Sequence, residues 1–325
     1  MDGKGTGRVG RARHRGRRAV LLACALLLAG PAAARTVTDA RGRTVEIADT
    51  GRVVAIGGAV TEILYALGLA DRIIAVDTTS LYPASALKDK PNVGYMRAIS
   101  PEGVLALGPT LVVAAEGSGP PDAIKVLGSA SVPFLVIPEA HDAEGVVARI
   151  RLIAEAMDVR PAGESLAAAV ADDFAALAAL RARITTPRTA TFVLSAQGAA
   201  PVVGGSGSGA DAILQLAGIR NAMSALKGYK PAVDEAMLAA EPEAIIVMRN
   251  GAGGLSDEAL LALPAFAGTP AARAGRVIGI DGAYALGFGP RTPQAARDLA
   301  AALYPELALP ALPPRPWAQG AGGGG

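Results

Sequence analysis

The chain has 325 residues, 51% of them hydrophobic and 4% aromatic, with 31 Lys and Arg against 29 Asp and Glu. It contains one Cys and two His, and only His141 lies beyond residue 24. From residue 25 onward, this composition excludes disulfides, Cys–His nucleophilic pairs and zinc sites built mainly on Cys and His.

The first 34 residues have the layout of a secretory signal peptide. Seven basic side chains precede an apolar run over 19–30, and Ala32, Ala33 and Ala34 form a small-residue cleavage site. The apolar run is too short to span a bilayer. Cleavage near Ala34 removes seven of the 31 basic and one of the 29 acidic side chains, which leaves 24 and 28 and a formal charge of −4. The basic residues therefore belong to an export signal and indicate no nucleic-acid partner.

Apolar runs rich in Val and Ile alternate with amphipathic stretches from residue 35 to residue 160. Strands are predicted over 52–56, 72–76, 110–115 and 132–137. Helices are predicted over 59–67, 101–107, 122–127 and 143–157. This alternation is typical of βαβ units around a parallel sheet, so 35–160 is predicted to form an α/β lobe.

The middle of the chain interrupts this alternation with one long helix, predicted over the Ala-rich segment 161–186 and roughly 35 Å in length. A second α/β lobe is then predicted over 187–307. Its strands are expected at 189–194, 244–248 and 276–280, and its helices at 210–216, 234–239, 257–261 and 293–303. Residues 308–325, rich in Pro and Gly, are predicted to be a disordered tail.

The two predicted lobes share a sequence pattern. Residues 101–113 match residues 234–246 at a constant offset, which pairs Glu102 with Glu235 and Pro109 with Pro242. Two unrelated helix–strand units would easily share apolar positions, but they are less able to share the Glu and the Pro as well. The repeat favours a two-lobed binding protein over a single enzymatic domain.

The segment before the helix-start signal Ser100-Pro101-Glu102 contains a phenol and a guanidinium two residues apart, Tyr95 and Arg97. A Tyr oxygen is one of the ligands that bind ferric iron in haem proteins. A neighbouring Arg donates charge-assisted hydrogen bonds that favour the phenolate form. Taken alone, the pair is more typical of a surface aromatic beside a solvated charge.

Other candidate motifs point away from catalysis. The Gly-rich stretch 204–210 contains a G-x-G-x-x-A spacing but lacks the acidic residue expected about twenty positions later in dinucleotide-binding proteins. It is expected to be a flexible loop that lines a cleft with helix N-terminal amides. His141 is assigned a capping or surface role. A secreted α/β hydrolase stays a weaker alternative, because no nucleophile motif is present.

The pattern from Arg35 to about Pro305 resembles periplasmic substrate-binding proteins of ABC importers, specifically the haem-binding group. The most specific segments are 76–83, 93–103, 228–231 and 286–293. The resemblance implies an α/β fold of two Rossmann-like lobes joined by one long backbone helix, with the ligand in the cleft between them. It also implies a periplasmic location and transport rather than enzymatic activity.

By position, the resemblance implies that Tyr95 is the axial ligand of haem iron and that Arg97 is its hydrogen-bonding partner. Lys230 is expected to pair with a propionate. Three aromatic side chains are expected to lie flat against the porphyrin: Tyr82, Tyr229 and Phe288. For each of them, packing in the protein core is an equal alternative. The transported ligand is expected to be haem b.

The resemblance also implies partners and stoichiometry. Glu102 and Glu235 match the glutamates that dock on a dimeric permease. The alternative is that each is simply a glutamate in the first turn of a helix, where the helix dipole favours a negative charge. Haem is expected from an outer-membrane receptor or as free hemin, and the protein is expected to be a monomer. The His that holds a second haem in some relatives aligns with Ala196, so one haem is expected. A ferric-siderophore or cobalamin carrier is the alternative within this fold.

Overall fold

We analysed a computed structural model that describes residues 1–5, 34–197, 200–249 and 254–319. The predicted signal peptide lies outside these ranges except for its first five residues and Ala34. Within them, no helix combines the length and the apolar character needed to cross a membrane.

The strands of the described chain form two sheets whose central strands are parallel, and one separate antiparallel hairpin. Their bounds are β1 (Arg35–Thr38), β2 (Thr44–Ile47), β3 (Val53–Ile56), β4 (Ile73–Val76), β5 (Leu111–Ala115), β6 (Phe134–Ile137), β7 (Thr189–Ser195), β8 (Val202–Gly204), β9 (Arg220–Asn221), β10 (Tyr229–Pro231), β11 (Ala244–Arg249) and β12 (Val277–Asp281). Every predicted strand has a counterpart here, and the first and last residues of the two agree within two positions.

The helices follow the strands in the alternation that the sequence predicts. Their bounds are α1 (Gly58–Ala66), α2 (Ser85–Asp89), α3 (Pro101–Leu105), α4 (Pro121–Ser129), α5 (Ala143–Ala156), α6 (Arg160–Arg181), α7 (Gly209–Leu216), α8 (Asp234–Ala240), α9 (Asp257–Leu261), α10 (Pro264–Ala267), α11 (Pro270–Ala274), α12 (Gly282–Leu286) and α13 (Thr292–Leu303). The predicted α/β fold class is confirmed.

The first sheet has the strand order β4-β3-β5-β6, and all of its pairings are parallel. Side chains alternate between the two faces of a strand. In β3, Val53 and Ala55 therefore join one core cluster, while Val54 and Ile56 join a second cluster on the opposite face. Because helices cover both faces, the strands read as continuous apolar runs.

The second sheet has the order β10-β8-β7-β11-β12, with β9 paired to β7. The pairings of β11 with β7 and β12 are parallel, whereas β8 is antiparallel to both β7 and β10. Sequence reasoning missed β8 and β10. Each is only three residues long, and β10 has no buried position that would give an apolar pattern.

The 22-residue helix α6 separates the two sheets along the chain and packs against α5 and α13. It contributes Leu166, Val170 and Phe174 to a core cluster that also contains Ile63 of α1 and Leu299 of α13. This cluster extends through both lobes, because the helices between the sheets share one apolar interior. The exact lobe boundaries stay a prediction.

The prediction of a disordered tail is wrong for residues 308–319. Leu309 and Leu312 are buried, and Arg315 Nη2 lies 2.6 Å from Oδ1 of Asp173, a fully buried carboxylate of α6. Trp317 packs on the main core cluster. The Pro-rich composition hid these anchors because they are single residues without a periodic pattern. Residues 320–325 lie outside the described part of the chain.

Candidate ligand-binding cleft

A cavity of about 630 Å³ opens between the lobes and lies within the size range of small-molecule sites, about 300–1,000 Å³. Its wall includes residues at or just beyond the carboxyl ends of parallel strands, where open α/β sheets bind ligands. The first sheet supplies Gly58, Thr79, Glu116 and Pro138, and the second supplies Met248 and Gly282 among others. The cavity therefore belongs to both lobes.

Close backbone approach shapes this wall at the start of α1. A Cβ on Gly58 would lie 2.5 Å from the carbonyl oxygen of Thr79, so only glycine fits there. The Gly58 N–H donates a hydrogen bond of 3.0 Å to Thr79 Oγ1, and Asp77 in turn accepts from the Thr79 hydroxyl at 2.8 Å. The strand ends on this side of the cleft are thus fixed by hydrogen bonds.

The structure brings Tyr95 and Arg97 together at the cavity. Arg97 Nη1 lies 3.3 Å from the Tyr95 hydroxyl, and both residues line the cleft. The Tyr95 side chain is 45% exposed and so remains accessible to a ligand. The phenol and the guanidinium form the pair that the sequence analysis proposed, on the side of the cavity formed by the first lobe.

The loop that carries Tyr95 is held on both sides by backbone hydrogen bonds. Thr78 N–H donates to the Gly94 carbonyl at 2.9 Å, and Gly119 N–H donates to the Met96 carbonyl at 2.8 Å. Gly94 has a φ of 92°, in the left-handed region that favours glycine. The Val-Gly-Tyr order is therefore needed to turn the chain and present the phenol.

Tyr82 also lines the cavity, but its hydroxyl is already bonded. It donates to the Trp317 carbonyl at 2.7 Å, and the guanidinium carbon of Arg291 lies 3.4 Å from the centroid of its ring. Burial raises the pKa of Tyr82, although the nearby Arg291 opposes this. At neutral pH Tyr82 therefore offers the ligand its ring and not an anionic oxygen.

Tyr229 lines the cavity from the second lobe, whereas the adjacent Lys230 does not. The Tyr229 hydroxyl accepts a hydrogen bond of 3.2 Å from the N–H of Ala210 at the start of α7, and burial raises its pKa. Successive side chains of β10 point to opposite faces. Since Tyr229 faces the cleft, Lys230 is directed away, and the structure does not bring it to the predicted ligand contact.

Phe288 is a buried wall residue with a left-handed backbone, φ 50°. Its carbonyl accepts a hydrogen bond of 2.9 Å from Arg149 Nη1 across the lobe junction. Arg149 also donates to the Pro138 carbonyl at 3.1 Å, and burial lowers its pKa against the opposing effect of Glu139 and Glu116. Sequence reasoning missed Arg149, because nothing in an amphipathic helix marks one Arg as buried.

His141 was assigned a capping or surface role, but the structure places it in the cavity wall. Its ring centroid lies 4.7 Å from that of Phe288, and its Nε2 lies 3.0 Å from Oε1 of Glu139. The helix cap is the next residue, Asp142, which accepts from the N–H of Gly145 at 2.7 Å. The Gly-rich loop was predicted to line the cleft, and Gly207, Ser208 and Gly209 do so.

Glu102 and Glu235 lie outside the cavity lining, each exposed in the first turn of its helix, α3 or α8. Ser100 caps α3 and donates from its hydroxyl to Glu102 at 3.2 Å. Within the described ranges, neither glutamate forms an ion pair, and no group of three or more His, Asp and Glu side chains is arranged to hold a metal ion. Both carboxylates are accessible to a partner.

Comparison with known proteins identifies the family. The family described as periplasmic binding protein matches residues 53–284. The chain belongs to this family. The match covers β3 to β12 and the whole of α6, and the wall residues Leu286, Gly287 and Phe288 lie just beyond its end.

Similar proteins with solved structures agree with the two-lobed fold. A periplasmic haem-binding protein, BhuT, solved with two haems, is 43% identical with a TM-score of 0.74, covering 79% of this chain and 98% of that one. RhuT from Roseiflexus sp. RS-1, a periplasmic haem-binding protein in apo form, is 36% identical with a TM-score of 0.75. The similarity covers 80% of this chain and 100% of RhuT. Among relatives found by sequence, the uncharacterized ABC transporter substrate-binding lipoprotein YvrC from Bacillus subtilis (strain 168) is 26% identical over 275 residues. These residues cover 83% of this chain and 86% of YvrC.

Proposed function

We propose that this protein binds ferric haem in its interlobe cleft and delivers it to an ABC importer from a periplasmic location. The observation that carries the proposal is the 3.3 Å contact between Arg97 Nη1 and the Tyr95 hydroxyl at a cavity shared by both lobes. Haem-binding relatives at 43% and 36% identity support the same ligand.

In this proposal the Tyr95 oxygen is the protein ligand to iron, and Arg97 stabilises it by donating a hydrogen bond to the same oxygen. Apolar side chains of the wall, among them Leu81, Met96 and Phe288, suit the face and edges of a porphyrin. Tyr82 and Tyr229 are ring contacts, since the hydroxyl of Tyr82 donates to the tail and that of Tyr229 accepts from α7. Lys230 has no part in this arrangement.

Delivery requires a surface that the permease recognises. The exposed carboxylates of Glu102 and Glu235 lie on equivalent helices of the two lobes, in the paired segments 101–113 and 234–246. One carboxylate on each lobe suits a permease made of two subunits, each presenting basic side chains. We therefore assign docking to these two glutamates and ligand binding to the cleft.

The proposal is tested by hemin titration of the mature protein, followed by absorbance. Tyr95→Phe removes only the hydroxyl, and we expect it to abolish the tyrosinate-type ferric spectrum. Tyr82→Phe is the matched control, because it removes a phenol of the same cavity whose oxygen is bonded to Trp317, and its spectrum should match that of the wild type. Absence of a Soret shift in the wild-type protein would refute haem binding, and cobalamin or a ferric siderophore would then be titrated.

A further inference from the structure

The C-terminal segment, residues 308–319, begins on the second lobe. Arg297 of α13 donates from Nε to the Pro310 carbonyl oxygen at 2.8 Å. Leu309 and Leu312 are buried, and Leu309 belongs to the main core cluster. The first half of the segment is therefore fixed to the helix that closes the second lobe.

The middle of the segment is anchored on α6. Nη2 of Arg315 lies 2.6 Å from Oδ1 of Asp173, and it also donates to the Ala169 carbonyl oxygen at 3.2 Å. Asp173 is fully buried, and Gln294 of α13 donates to its Oδ2 at 2.9 Å. Release of Arg315 would leave a buried carboxylate without its cation, so this anchor is costly to break.

The last part of the segment reaches the first lobe at Tyr82, in the loop that follows β4. The Tyr82 hydroxyl lies 2.7 Å from the Trp317 carbonyl oxygen and 3.2 Å from that of Gln319, so its proton is donated to the main chain of the segment. Residues 316–318 also contact α1, and Trp317 packs on the main core cluster. The segment thus connects the second lobe to the first.

Tyr82 is also part of the ligand site, because it lines the cavity. The guanidinium carbon of Arg291, from the second lobe, lies 3.4 Å from the centroid of its ring. Arg291 is paired with Glu62 of α1, another wall residue. One side chain therefore contacts the cleft, the lobe junction and the C-terminal segment, and a separation of the lobes would displace all three contacts together.

The two ends of the segment are held with different strength. Its attachment to α13 and α6 combines buried leucines with the pair of Arg315 and Asp173. Its attachment to the first lobe combines the packing of Trp317 with a neutral phenol that donates to main-chain carbonyls. A neutral hydrogen bond contributes less than a pair whose loss leaves a buried charge. When the lobes separate, the segment should therefore detach from Tyr82 and stay on the second lobe.

We propose that residues 308–319 are a strap that holds the two lobes together at the cleft, slows the release of the bound ligand and opens at the Tyr82 hydroxyl. None of these twelve residues lines the cavity, so the strap acts on the ligand through Tyr82, which is a positioning residue. The effect on haem release rests on the proposed function. The restraint on the lobes does not depend on which ligand is bound.

The test compares two mature chains, one that ends at Gln319 and one that ends at Pro316. Both keep the pair of Arg315 and Asp173, but only the longer chain keeps the carbonyls that accept from Tyr82. Each chain is loaded with hemin, and transfer to excess apomyoglobin is followed by absorbance. We expect release to be about fivefold faster from the shorter chain, the ratio equivalent to one neutral hydrogen bond.

Tyr82→Phe keeps the ring and removes the hydroxyl. In the longer chain it should accelerate release by a similar factor without a change in the ferric spectrum. In the shorter chain it should add nothing, because the partners of the hydroxyl are already absent. Tyr65→Phe removes a phenol of α1 that does not line the cavity, and it should leave release unchanged in both chains. If hemin binds and the rates do not differ, or if Tyr82→Phe acts equally in both chains, the strap is refuted while the proposed function stands.

The restraint itself is measured without ligand. No Cys follows residue 24, so Lys125→Cys on α4 and Glu258→Cys on α9 place one spin label on an exposed site of each lobe. Double electron–electron resonance should give a broader distance distribution for the chain that ends at Pro316 than for the longer chain, and identical distributions would overturn the inference. If hemin binds neither chain, the proposed function fails, and this measurement still decides the strap. Thermal unfolding verifies that each chain is folded.

Discussion

Arg291 of the second lobe and Glu62 of the first form a buried ion pair at the lobe junction. Nη2 of Arg291 lies 2.9 Å from Oε2 of Glu62, the Arg291 N–H donates to Oε1 at 3.1 Å, and the two side chains are 5% and 6% exposed. The guanidinium also lies over the ring of Tyr82. Since Glu62 and Tyr82 both line the cavity, this pair joins the lobes at the ligand site itself.

Breaking this pair should destabilise the whole protein. Glu62→Gln leaves the Arg291 charge buried without a carboxylate, and we expect the free energy of unfolding to fall by about 3 kcal/mol. Urea unfolding measures the change. Glu164→Gln is the control, because its pair with Arg151 is exposed and should contribute less than about 1 kcal/mol. Equal losses in the two variants would contradict the role of the buried pair.

Arg97→Ala should weaken hemin binding by about tenfold, equivalent to about 1.4 kcal/mol for one charge-assisted hydrogen bond at an accessible site. The cause is loss of the donor to the Tyr95 oxygen. Titration with hemin gives the dissociation constant. Arg41→Ala removes an exposed charge that does not line the cleft and should leave binding unchanged. An unaltered constant for Arg97→Ala would show that the guanidinium does not act on the phenol.

Glu102→Ala and Glu235→Ala should leave hemin binding intact but reduce the stimulation of ATP hydrolysis by the reconstituted importer. Each substitution removes a carboxylate from one lobe, so the double variant should lose more than either single one. Glu144→Ala removes an exposed first-turn glutamate of α5 and is the matched control. A double variant that stimulates the importer fully would exclude docking through these residues.

The C-terminal segment should contribute measurably to stability. Arg315→Ala leaves the fully buried Asp173 with Gln294 as its remaining side-chain partner, so we expect a loss of about 2 kcal/mol in the free energy of unfolding. A chain that ends at Gln319 keeps the contacts of Arg315 and Trp317, so Arg315→Ala made in that chain should show the same loss. Equal stability of Arg315→Ala and the wild type would mean that the segment is not anchored.

Stability should also fall at alkaline pH through Tyr284. Burial raises the pKa of this phenol, and Asp298, which accepts its hydrogen bond at 2.8 Å, raises it further. A pKa that is higher in the folded state gives stability below the ordinary tyrosine value of about 10, and this stability is lost as the pH rises above it. Tyr284→Phe should be about 1 kcal/mol less stable at pH 8, and the difference should narrow at pH 10.5. A constant difference in urea unfolding at the two values would refute this.

The sequence predicted the sheet strands because each is a short buried run with both faces covered, and the βαβ alternation then limited the fold to a parallel architecture. It also predicted the Tyr95–Arg97 contact, since two residues in one turn are close whatever the rest of the chain does. It could not place Lys230, because the face of a three-residue strand depends on its register with β8.

Local pattern thus determined the α/β class, the paired lobes and the local pair of Tyr95 and Arg97. Tertiary structure alone decided which polar side chains became buried at the lobe junction and which faced the cleft. The sequence does not mark Arg149 or Arg291 as buried or His141 as a cleft residue, because their partners lie in distant segments or depend on how a loop is held. The ordered tail has the same origin, since Arg315 pairs with Asp173 of α6, which lies far away in the sequence.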